Sequence, residues 1–327
     1  MSRSILQARF MKQASENTPT EHVPVMIGEV LDLLQCKPAG VFVDATLGLG
    51  GHALAILERI QPGGLLIGLD RDRETLEKAR LRLQPFSGAI RLLHENFKNL
   101  PLVLNNSAVG PIDGIVLDLG VSSYQLLSPE RGFSFQGDGM LDMRMDRSQR
   151  QTAADLVNNL AEAQLAEIIH RYGEERLARR IAGAIVAARE EGPISRASQL
   201  AEIVRRAMRV HGHTSIHPAT RTFQALRIAV NQELEGLEEF FGEVIPFLKP
   251  GGRVVTIAFH SLEDRIVKRT FRSLTGQCVC ARPPELCICP REVRAHLVTQ
   301  HALKASLAEV EANPRSRGAR LRCIERV

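Results

Sequence analysis

The sequence predicts an α/β fold in which a parallel sheet with crossover helices is interrupted by a helical insertion. Apolar runs of β-forming residues alternate with amphipathic helical stretches from residue 40 onward, which is typical of βαβ units. A glycine-rich loop directly follows the first run. More than 130 residues separate the fourth run from the fifth, whereas a crossover needs only about 30. Roughly 90 residues are therefore expected to form an insertion.

Hydrophobic periodicity gives the individual elements. Strands are predicted at residues 41–45, 65–70, 90–94, 112–119 and 251–259. Apolar residues recur at helical spacing across the insertion, and the Gly-Pro pair at 192–193 ends one of its helices. One long helix is predicted over residues 222–248, with Phe223, Leu226 and Val230 on an apolar stripe that belongs to the core.

The charge of the chain is small but unevenly placed. The formal net charge is +5, and residues 265–327 hold 13 Lys and Arg against five Glu. Such a segment suits a polyanion or is a solvated basic tail, and charge alone leaves both interpretations open. With 12 Phe, two Tyr and no Trp, the sequence argues against a broad base-stacking platform.

Residues 1–15 hold three basic residues and no acid, a composition found in organelle transit peptides as well as in disordered termini. No run approaches the roughly 18 apolar residues that a membrane span needs, and no secretory signal is recognisable. We therefore expect a cytoplasmic protein without a membrane partner. Residues 1–21 are expected to be a disordered N-terminal extension.

The loop GLGGHA at residues 48–53 fits the pattern G-x-G-x-x-[GA] between a strand and a helix. Asp70 ends the second predicted strand, where an acid accepts hydrogen bonds from ribose hydroxyls. Both features indicate an adenosine-containing ligand. NAD and S-adenosylmethionine share that adenosine end, so the loop alone does not decide between them.

Two further acids discriminate between these ligands. Asp44 and Asp118 end the first and fourth predicted strands, and we expect both at the rim of the crevice. Carboxylates there would repel a pyrophosphate and attract the ammonium and sulfonium groups of S-adenosylmethionine. Electrostatics therefore favours the cationic cofactor. An NAD-linked oxidoreductase and a non-catalytic factor that docks on a polyanion through its basic C-terminal segment remain as alternatives.

Nine ordered blocks of the sequence resemble those of the RsmH (MraW) family, the small-subunit (16S) ribosomal RNA cytosine-N(4) methyltransferases. The blocks are HVPVM (22–26), DATLGLGGH (44–52), GLDRD (68–72), DGIVLDLGVSSYQL (113–126), RGFSF (131–135), LDMRMD (141–146), TFQALRIAVNQEL (222–234), FHSLEDRIVK (259–268) and NPRSRGARLR (313–322). They cover nearly the whole chain from residue 22 to its end.

The resemblance implies a class I (Rossmann-like) methyltransferase sheet with an inserted all-helical domain. The methyltransferase domain would comprise residues 22–123 and 218–327, and residues 124–217 would form a helical substrate-recognition insertion. The implied reaction transfers a methyl group from S-adenosylmethionine to the exocyclic amine, N(4), of a cytidine in the decoding centre. The implied partner is 16S ribosomal RNA within the small ribosomal subunit, and a homodimer is left open.

By matching motif positions, the resemblance also assigns cofactor contacts. The glycine loop contributes at three positions, and four further residues contact the ribose, the adenine and the methionine end. These residues are Gly50, Gly51 and His52 in the loop, Asp70 at the ribose, Phe97 near the adenine, and Asp118 and Gln125 towards the methionine end.

A cytosine amine is a poor nucleophile, so catalysis is expected to rest on positioning. Asp118 is the predicted catalytic residue, which accepts a hydrogen bond from the amine with Ser122 as a helper. His260 is the alternative base, or else a hydrogen-bonded structural histidine. No metal is assigned to catalysis. Phosphate contacts are predicted at Arg265, Lys268, Arg269 and the arginines from Arg315 to Arg322, and contacts to the flipped base, or core packing, at Phe133 and Phe135.

Four cysteines form the pattern C-x-C-x(6)-C-x-C at Cys278, Cys280, Cys287 and Cys289. In a reducing compartment such a cluster is either a tetrahedral zinc site or a set of free thiols. Its C-x-C pairs differ from the usual two-residue knuckle spacing, so both interpretations stay open. The histidines at 211, 213 and 217 are assigned no metal.

Overall fold

The frame of the protein is a seven-stranded sheet in the computed structural model, which describes residues 24–135, 137–209, 217–280, 282, 286–289 and 291–327. The strands of this sheet are β1 (Val41–Asp44), β2 (Leu65–Asp70), β3 (Ile90–His94), β4 (Ile112–Asp118), β5 (Leu248–Ala258), β6 (Ala295–Leu297) and β7 (Arg320–Arg326). They lie in the order β3-β2-β1-β4-β5-β7-β6. β1 to β5 are parallel, and β7 is antiparallel to both of its neighbours.

The predicted α/β class is confirmed, and all five predicted strands are present with ends shifted by a few residues. β6 and β7 are additional strands. β7 escaped prediction because its arginines obscure a strand in which Leu321, Cys323 and Ile324 are fully buried. Its pairing with β5 places the basic C-terminal segment within the sheet.

Helices surround the sheet and form a separate bundle. The helices that lie before, between or after the strands, outside the bundle, are α1 (Ile27–Leu34), α2 (Gly51–Ile60), α3 (Arg73–Arg82), α4 (Leu100–Asn105), α5 (Ser123–Leu127), α10 (Thr220–Asn231), α11 (Leu237–Val244), α12 (Ser261–Leu274) and α13 (Leu307–Ala312). The bundle contains α6 (Ala153–Asn159), α7 (Glu162–Gly173), α8 (Ala178–Glu191) and α9 (Ala197–Met208).

Both faces of the sheet are covered by apolar side chains. Successive residues of a strand point to opposite faces. In β1, Phe42 joins the apolar cluster that contains Ile56 of α2, whereas Val43 joins the cluster that contains Phe241 of α11. Burial on both faces explains why the parallel strands appear in the sequence as nearly continuous apolar runs.

The helical bundle has its own apolar core, which contains side chains between Phe133 and Val230. Ile169, Ile181 and Leu200 are fully buried in it. α10 also contributes, because its Phe223 and Val230 pack into the same cluster. The bundle core therefore includes a helix that lies beyond residue 217.

The prediction of one long helix over residues 222–248 is wrong. α10 ends at Asn231 because Gln232 adopts a left-handed conformation with φ of 49°, and α11 begins after Gly236, whose φ is 68°. The chain then enters β5 at Leu248. The break turns Glu233 back towards α10, with consequences for the site described below.

A buried arginine joins the bundle to the sheet. Arg131 is completely buried and lies 2.8 Å from Asp72 Oδ2 and 3.3 Å from Glu74 Oε2. It also donates to the backbone carbonyls of Arg144 and Met145. Asp72 in turn caps the N-terminus of α3, so one charge network fixes the bundle against the end of β2.

The predicted disordered extension at residues 1–21 lies outside the described residues. Within the described ranges, the helices are too short or too polar to cross a lipid bilayer.

Replacing Arg131 with Met should lower the free energy of unfolding by about 3–5 kcal/mol, because it leaves the buried carboxylate of Asp72 without its partner. Denaturant unfolding measures this change. Arg147→Met is the matched control: Arg147 lies 3.1 Å from Glu74 but is 46% exposed, so its loss should cost below about 1 kcal/mol. Equal losses in the two variants would contradict the proposed role of Arg131.

Candidate active site

The carboxyl ends of β1, β2, β4 and β5 border a crevice of about 310 Å³. It lies where the strand order reverses between β1 and β4, the usual ligand position in an open α/β sheet. Most of the residues that the sequence assigned to the cofactor line this crevice: Gly51, His52, Asp70, Phe97, Asp118 and Gln125.

The glycine loop forms the floor of the crevice at the start of α2. Gly50 does not line the crevice, and its role is conformational: its φ is 76°, and an added Cβ would lie 2.9 Å from Leu83 Cδ1. Gly51 is required for close approach, because a Cβ there would lie 2.3 Å from Pro24 Cγ. The loop therefore tolerates no side chain at either position.

Asp70 fixes the loop from the end of β2. Its Oδ2 accepts a hydrogen bond from the N–H of Gly48 at 2.7 Å, and its Oδ1 accepts from the N–H of Asp72 at 2.8 Å. Burial raises the pKa of Asp70 to about 6 despite these two hydrogen bonds. Each carboxylate oxygen retains a lone pair, so Asp70 can still accept from ribose hydroxyls.

Asp118, at the end of β4, carries an unsatisfied acceptor. Its Oδ1 is buried and has no hydrogen-bond partner among the described residues. Its Oδ2 lies 3.7 Å from His52 Nδ1. Burial, followed by the nearby charges of Asp44 and Glu263, raises the pKa of Asp118 well above its usual value. A donor or a cation at this position would relieve that cost.

The tautomer of His52 places a second hydrogen-bond acceptor, Nδ1, beside Asp118. His52 Nε2 lies 2.9 Å from the carbonyl oxygen of Val25, which can only accept, so Nε2 carries the hydrogen. Burial lowers the pKa of His52 to about 4, and the ring is therefore neutral near pH 7. Its bare Nδ1 then lies beside Asp118 Oδ2. Two acceptors this close together suit an ammonium group.

Asp44 does not lie at the rim, contrary to the expectation from sequence. It is only 1% exposed and is buried behind the loop, where its Oδ1 accepts a hydrogen bond from the N–H of Thr46 at 3.2 Å. Its Oδ2 has no partner in the described part of the chain, and burial raises its pKa to about 7. Asp44 therefore acts on the crevice through its charge and not by direct contact.

The opposite wall contains an ion pair that the sequence did not reveal. Arg227 donates from Nε to Glu233 Oε1 at 2.8 Å and from Nη2 to Glu233 Oε2 at 2.7 Å. Both residues line the crevice. On a continuous helix, positions six apart do not share a face. Only the break after Asn231 brings these two side chains together.

His260 is held inside the protein as the cap of α12. Its Nδ1 accepts from the N–H of Glu263, and its Nε2 lies 3.1 Å from Glu263 Oε1. Burial alone would raise the pKa of Glu263, but the hydrogen bond from His260, the charge of Arg227 and the hydrogen bond from the N–H of Phe259 bring it below its usual value. His260 does not line the crevice, which favours its structural interpretation.

The side chains of Glu233, His260 and Glu263 also lie close enough together to hold a metal ion. However, the guanidinium of Arg227 occupies both carboxylate oxygens of Glu233. A metal ion would have to displace this cation from a buried carboxylate. Arg227 thus already supplies the positive charge that a metal ion would bring to Glu233.

Gln125 and Ser122 shape the wall near the end of β4. Gln125 donates to Asp72 Oδ2 at 2.8 Å and accepts from the N–H of Ser122 at 2.9 Å. Ser122 Oγ accepts from the N–H of Gln125, which completes a capping box for α5. The Gln125 amide thus has protein partners at both ends, and the Ser122 hydroxyl retains its own hydrogen to donate.

The aromatic candidates differ in position. Phe97 lines the crevice and packs edge-to-face on Phe240, with ring centroids 5.2 Å apart. Phe133 is a core residue of the helical bundle, which confirms core packing, one of the two predicted alternatives for it. Phe135 stacks on His217 with centroids 4.3 Å apart and does not line the crevice. The histidines at 211 and 213, to which no metal was assigned, lie outside the described ranges.

The basic residues predicted to contact phosphate also differ in position. Arg322 is buried and pairs with Asp264 at 2.7 Å, so its predicted phosphate contact is wrong. β7 carries Arg322 into the sheet, where it has a structural role. Arg315 lines the crevice and donates to Ser123 Oγ. Arg265 and Lys268 are exposed on α12.

These features define a class of protein. The glycine loop, the carboxylate of Asp70 and the acceptors of Asp118 and His52 fit an adenosine-containing cation at the switch point of a Rossmann-like sheet. The protein is a class I methyltransferase that uses S-adenosylmethionine. The acids at Asp70 and Asp118 would hold the ribose and the ammonium group of this cofactor.

The chain belongs to the MraW methylase family, because the model of that family matches residues 19–327. The resemblance found in the sequence is thereby confirmed. The ribosomal RNA small subunit methyltransferase H of Pelobacter propionicus is 52% identical over 309 residues, which are 94% of this chain and 99% of that protein. The enzyme of the same name from Halothermothrix orenii is 48% identical over 310 residues, again 94% and 99% of the two chains.

Likeness to solved structures is distant. The crystal structure of an rRNA methylase from Streptococcus thermophilus superposes with a TM-score of 0.40 at 10% identity. The superposition covers 94% of this chain and 99% of that one. Family membership therefore comes from the sequence relatives, and it favours methyl transfer over the NAD-linked and docking-factor alternatives.

Proposed function

We propose that this enzyme methylates the exocyclic amine, N(4), of a cytidine in the decoding centre of 16S ribosomal RNA, within the small subunit and in the cytoplasm. The observation that carries the proposal is the buried, unpartnered carboxylate oxygen of Asp118 on the wall of the cofactor crevice. An exocyclic amine has N–H groups that such an acceptor can bind. The relatives' name, ribosomal RNA small subunit methyltransferase H, supports RNA of the small subunit as the substrate.

Bound S-adenosylmethionine supplies an electrophilic methyl group on a positively charged sulfur. The remaining task of the protein is to bring the amine into line with that methyl group and to exclude water. Leu119, Val121 and Leu126 give the crevice an apolar wall next to Asp118. The target base must leave its stack to reach this depth, as is usual for enzymes that act on bases.

Asp118 has the properties needed to manage the proton of the amine. As the new N–C bond forms and the bond between the methyl carbon and sulfur breaks, the electron pair stays on sulfur and the amine nitrogen must lose one proton. A hydrogen bond to Asp118 Oδ1 localises the nitrogen lone pair and gives this proton a first acceptor. In the protein without cofactor, burial raises its pKa, which makes Asp118 a stronger base than an exposed aspartate. His52, whose pKa is lowered to about 4, is too weak a base for this role.

A basic surface extends from the bundle towards the crevice. Arg176, Arg179 and Arg180 are exposed at the start of α8, where the helix N-terminus also favours anions. The adjacent Glu174 lies 2.8 Å from Arg265 of α12. The first turn of α12 also contains Glu263, which lines the crevice, and this supports a position of the bundle arginines near the crevice. We assign RNA phosphate binding to this surface.

The reaction is tested by incubating the enzyme with tritiated S-adenosylmethionine and undermethylated small ribosomal subunits, followed by nucleoside analysis. We expect label in N(4)-methylcytidine. Asp118→Asn should reduce the turnover number about 10²-fold or more, because the amide cannot accept the amine proton. Glu77→Gln is the control, since Glu77 is exposed on α3 and pairs only with its neighbour Arg80.

Label in any other nucleoside would refute the assigned reaction. A turnover number in Asp118→Asn equal to that of Glu77→Gln would remove Asp118 from the chemistry while leaving the reaction assignment intact.

The RNA surface is tested by the triple substitution of Arg176, Arg179 and Arg180 with Gln. Each lost phosphate contact should reduce the slope of log affinity against log salt by about 0.7–0.9. The control is Arg205→Gln/Arg206→Gln, two exposed arginines of α9 that already pair with Glu202. A salt slope unchanged by the triple substitution would place RNA binding elsewhere.

A further inference from the structure

The cysteine-rich segment between α12 and β6 lies outside the crevice and has no part in the proposed reaction. Its base is tied by an antiparallel bridge between Thr275 and Val293 and by a hydrogen bond from the N–H of Arg294 to the carbonyl of Leu274. Between these ties the chain carries four cysteines with described positions. They are Cys278, Cys280, Cys287 and Cys289.

The four sulfur atoms converge on one point. Cys278 Sγ lies 3.5 Å from Cys280 Sγ, 3.3 Å from Cys287 Sγ and 3.9 Å from Cys289 Sγ. All four sulfurs lie within 4.8 Å of one another. With Zn–S bonds of about 2.3 Å, neighbouring sulfurs of a tetrahedral site are about 3.8 Å apart. The spacing of this cluster is thus close to that of a single tetrahedral ion.

Disulfide bonds do not explain the convergence. A disulfide brings two sulfurs to about 2.05 Å and leaves the pair separate from other thiols. Here Cys278 approaches three partners about equally, and the four cysteines are unbonded. An iron–sulfur cluster distributes its cysteine ligands over several iron atoms, whereas these four sulfurs share the space of one ion.

Hydrophobic burial does not explain it either. Leu286 and Ile288, which flank Cys287, are 65% and 76% exposed. The segment therefore has little apolar core to hold four thiols together. The two other cysteines show the contrast, because Cys36 and Cys323 pack singly into an apolar cluster of the sheet. Small segments without a core commonly owe their structure to a metal ion.

We propose that these four cysteines bind one zinc ion that fixes the segment at the end of α12. Zinc is the expected occupant of a tetrahedral site with four thiolates. Each thiol that is protonated in the free protein releases its proton to solvent as its Zn–S bond forms. Four thiolates around Zn²⁺ carry a net charge of −2, which Arg291 partly offsets: its Nη2 lies 3.8 Å from Cys287 Sγ.

The test is the metal content of the full-length protein, purified without chelators and measured by mass spectrometry. We expect about one zinc ion per chain. In Cys278→Ser/Cys287→Ser the zinc content should fall at least tenfold, whereas the control Cys36→Ser should retain the wild-type content. Cobalt loaded into the metal-free wild-type protein should give the visible absorption of a tetrahedral thiolate site, a measurement that does not depend on the folding of a variant.

Three outcomes would overturn the proposal. The first is a wild-type protein that binds neither zinc nor cobalt and whose four cysteines react freely with a thiol reagent in the native state. The second is iron in place of zinc. The third is zinc that remains at the wild-type level after the double substitution, which would place the ion at another site. Because the cluster lies outside the crevice, none of these outcomes bears on the methylation assay.

Discussion

The burial of carboxylates at the carboxyl ends of adjacent strands governs the design of the crevice. Asp44, Asp70 and Asp118 end β1, β2 and β4, and burial raises the pKa of each. Ionised carboxylates in such a setting are costly unless donors or cations compensate them. Backbone N–H groups compensate Asp70, but one oxygen each of Asp44 and Asp118 lacks a partner among the described residues. The crevice is therefore suited to bind a positively charged ligand.

The acidic residues at this edge of the sheet also anchor the neighbouring elements. Asp72 caps α3, receives Gln125 and pairs with the buried Arg131, so the wall of the crevice and the helical bundle share one anchor. The opposite wall depends on the break between α10 and α11, which brings Glu233 to Arg227. The walls of the crevice and the helical bundle therefore have fixed positions relative to each other, which is what in-line transfer to a bound substrate requires.

Local sequence patterns predicted the parts of the molecule that depend on local chemistry. The parallel strands, the glycine loop and the positions of Asp70 and Asp118 follow from periodicity and motif spacing. Features set by tertiary contacts did not follow. Apolar periodicity continues through the end of α10, so it concealed the turn at Gln232. Arg322 appeared to belong to a basic tail because its partner Asp264 lies 58 positions away. Asp44 was placed at the rim because spacing locates a strand end without giving the depth of its side chain.

The most direct test of the electrostatic account is calorimetry of S-adenosylmethionine binding between about pH 5.5 and 7.5. If the cation binds ionised acids of raised pKa, its association constant must rise with pH, by up to about tenfold per pH unit for each proton released. His52 adds little to this rise, because its pKa of about 4 lies below the range. We predict a clear rise in the wild-type protein and a shallower one in Asp118→Asn. A wild-type affinity that is constant or decreases with pH would contradict the account.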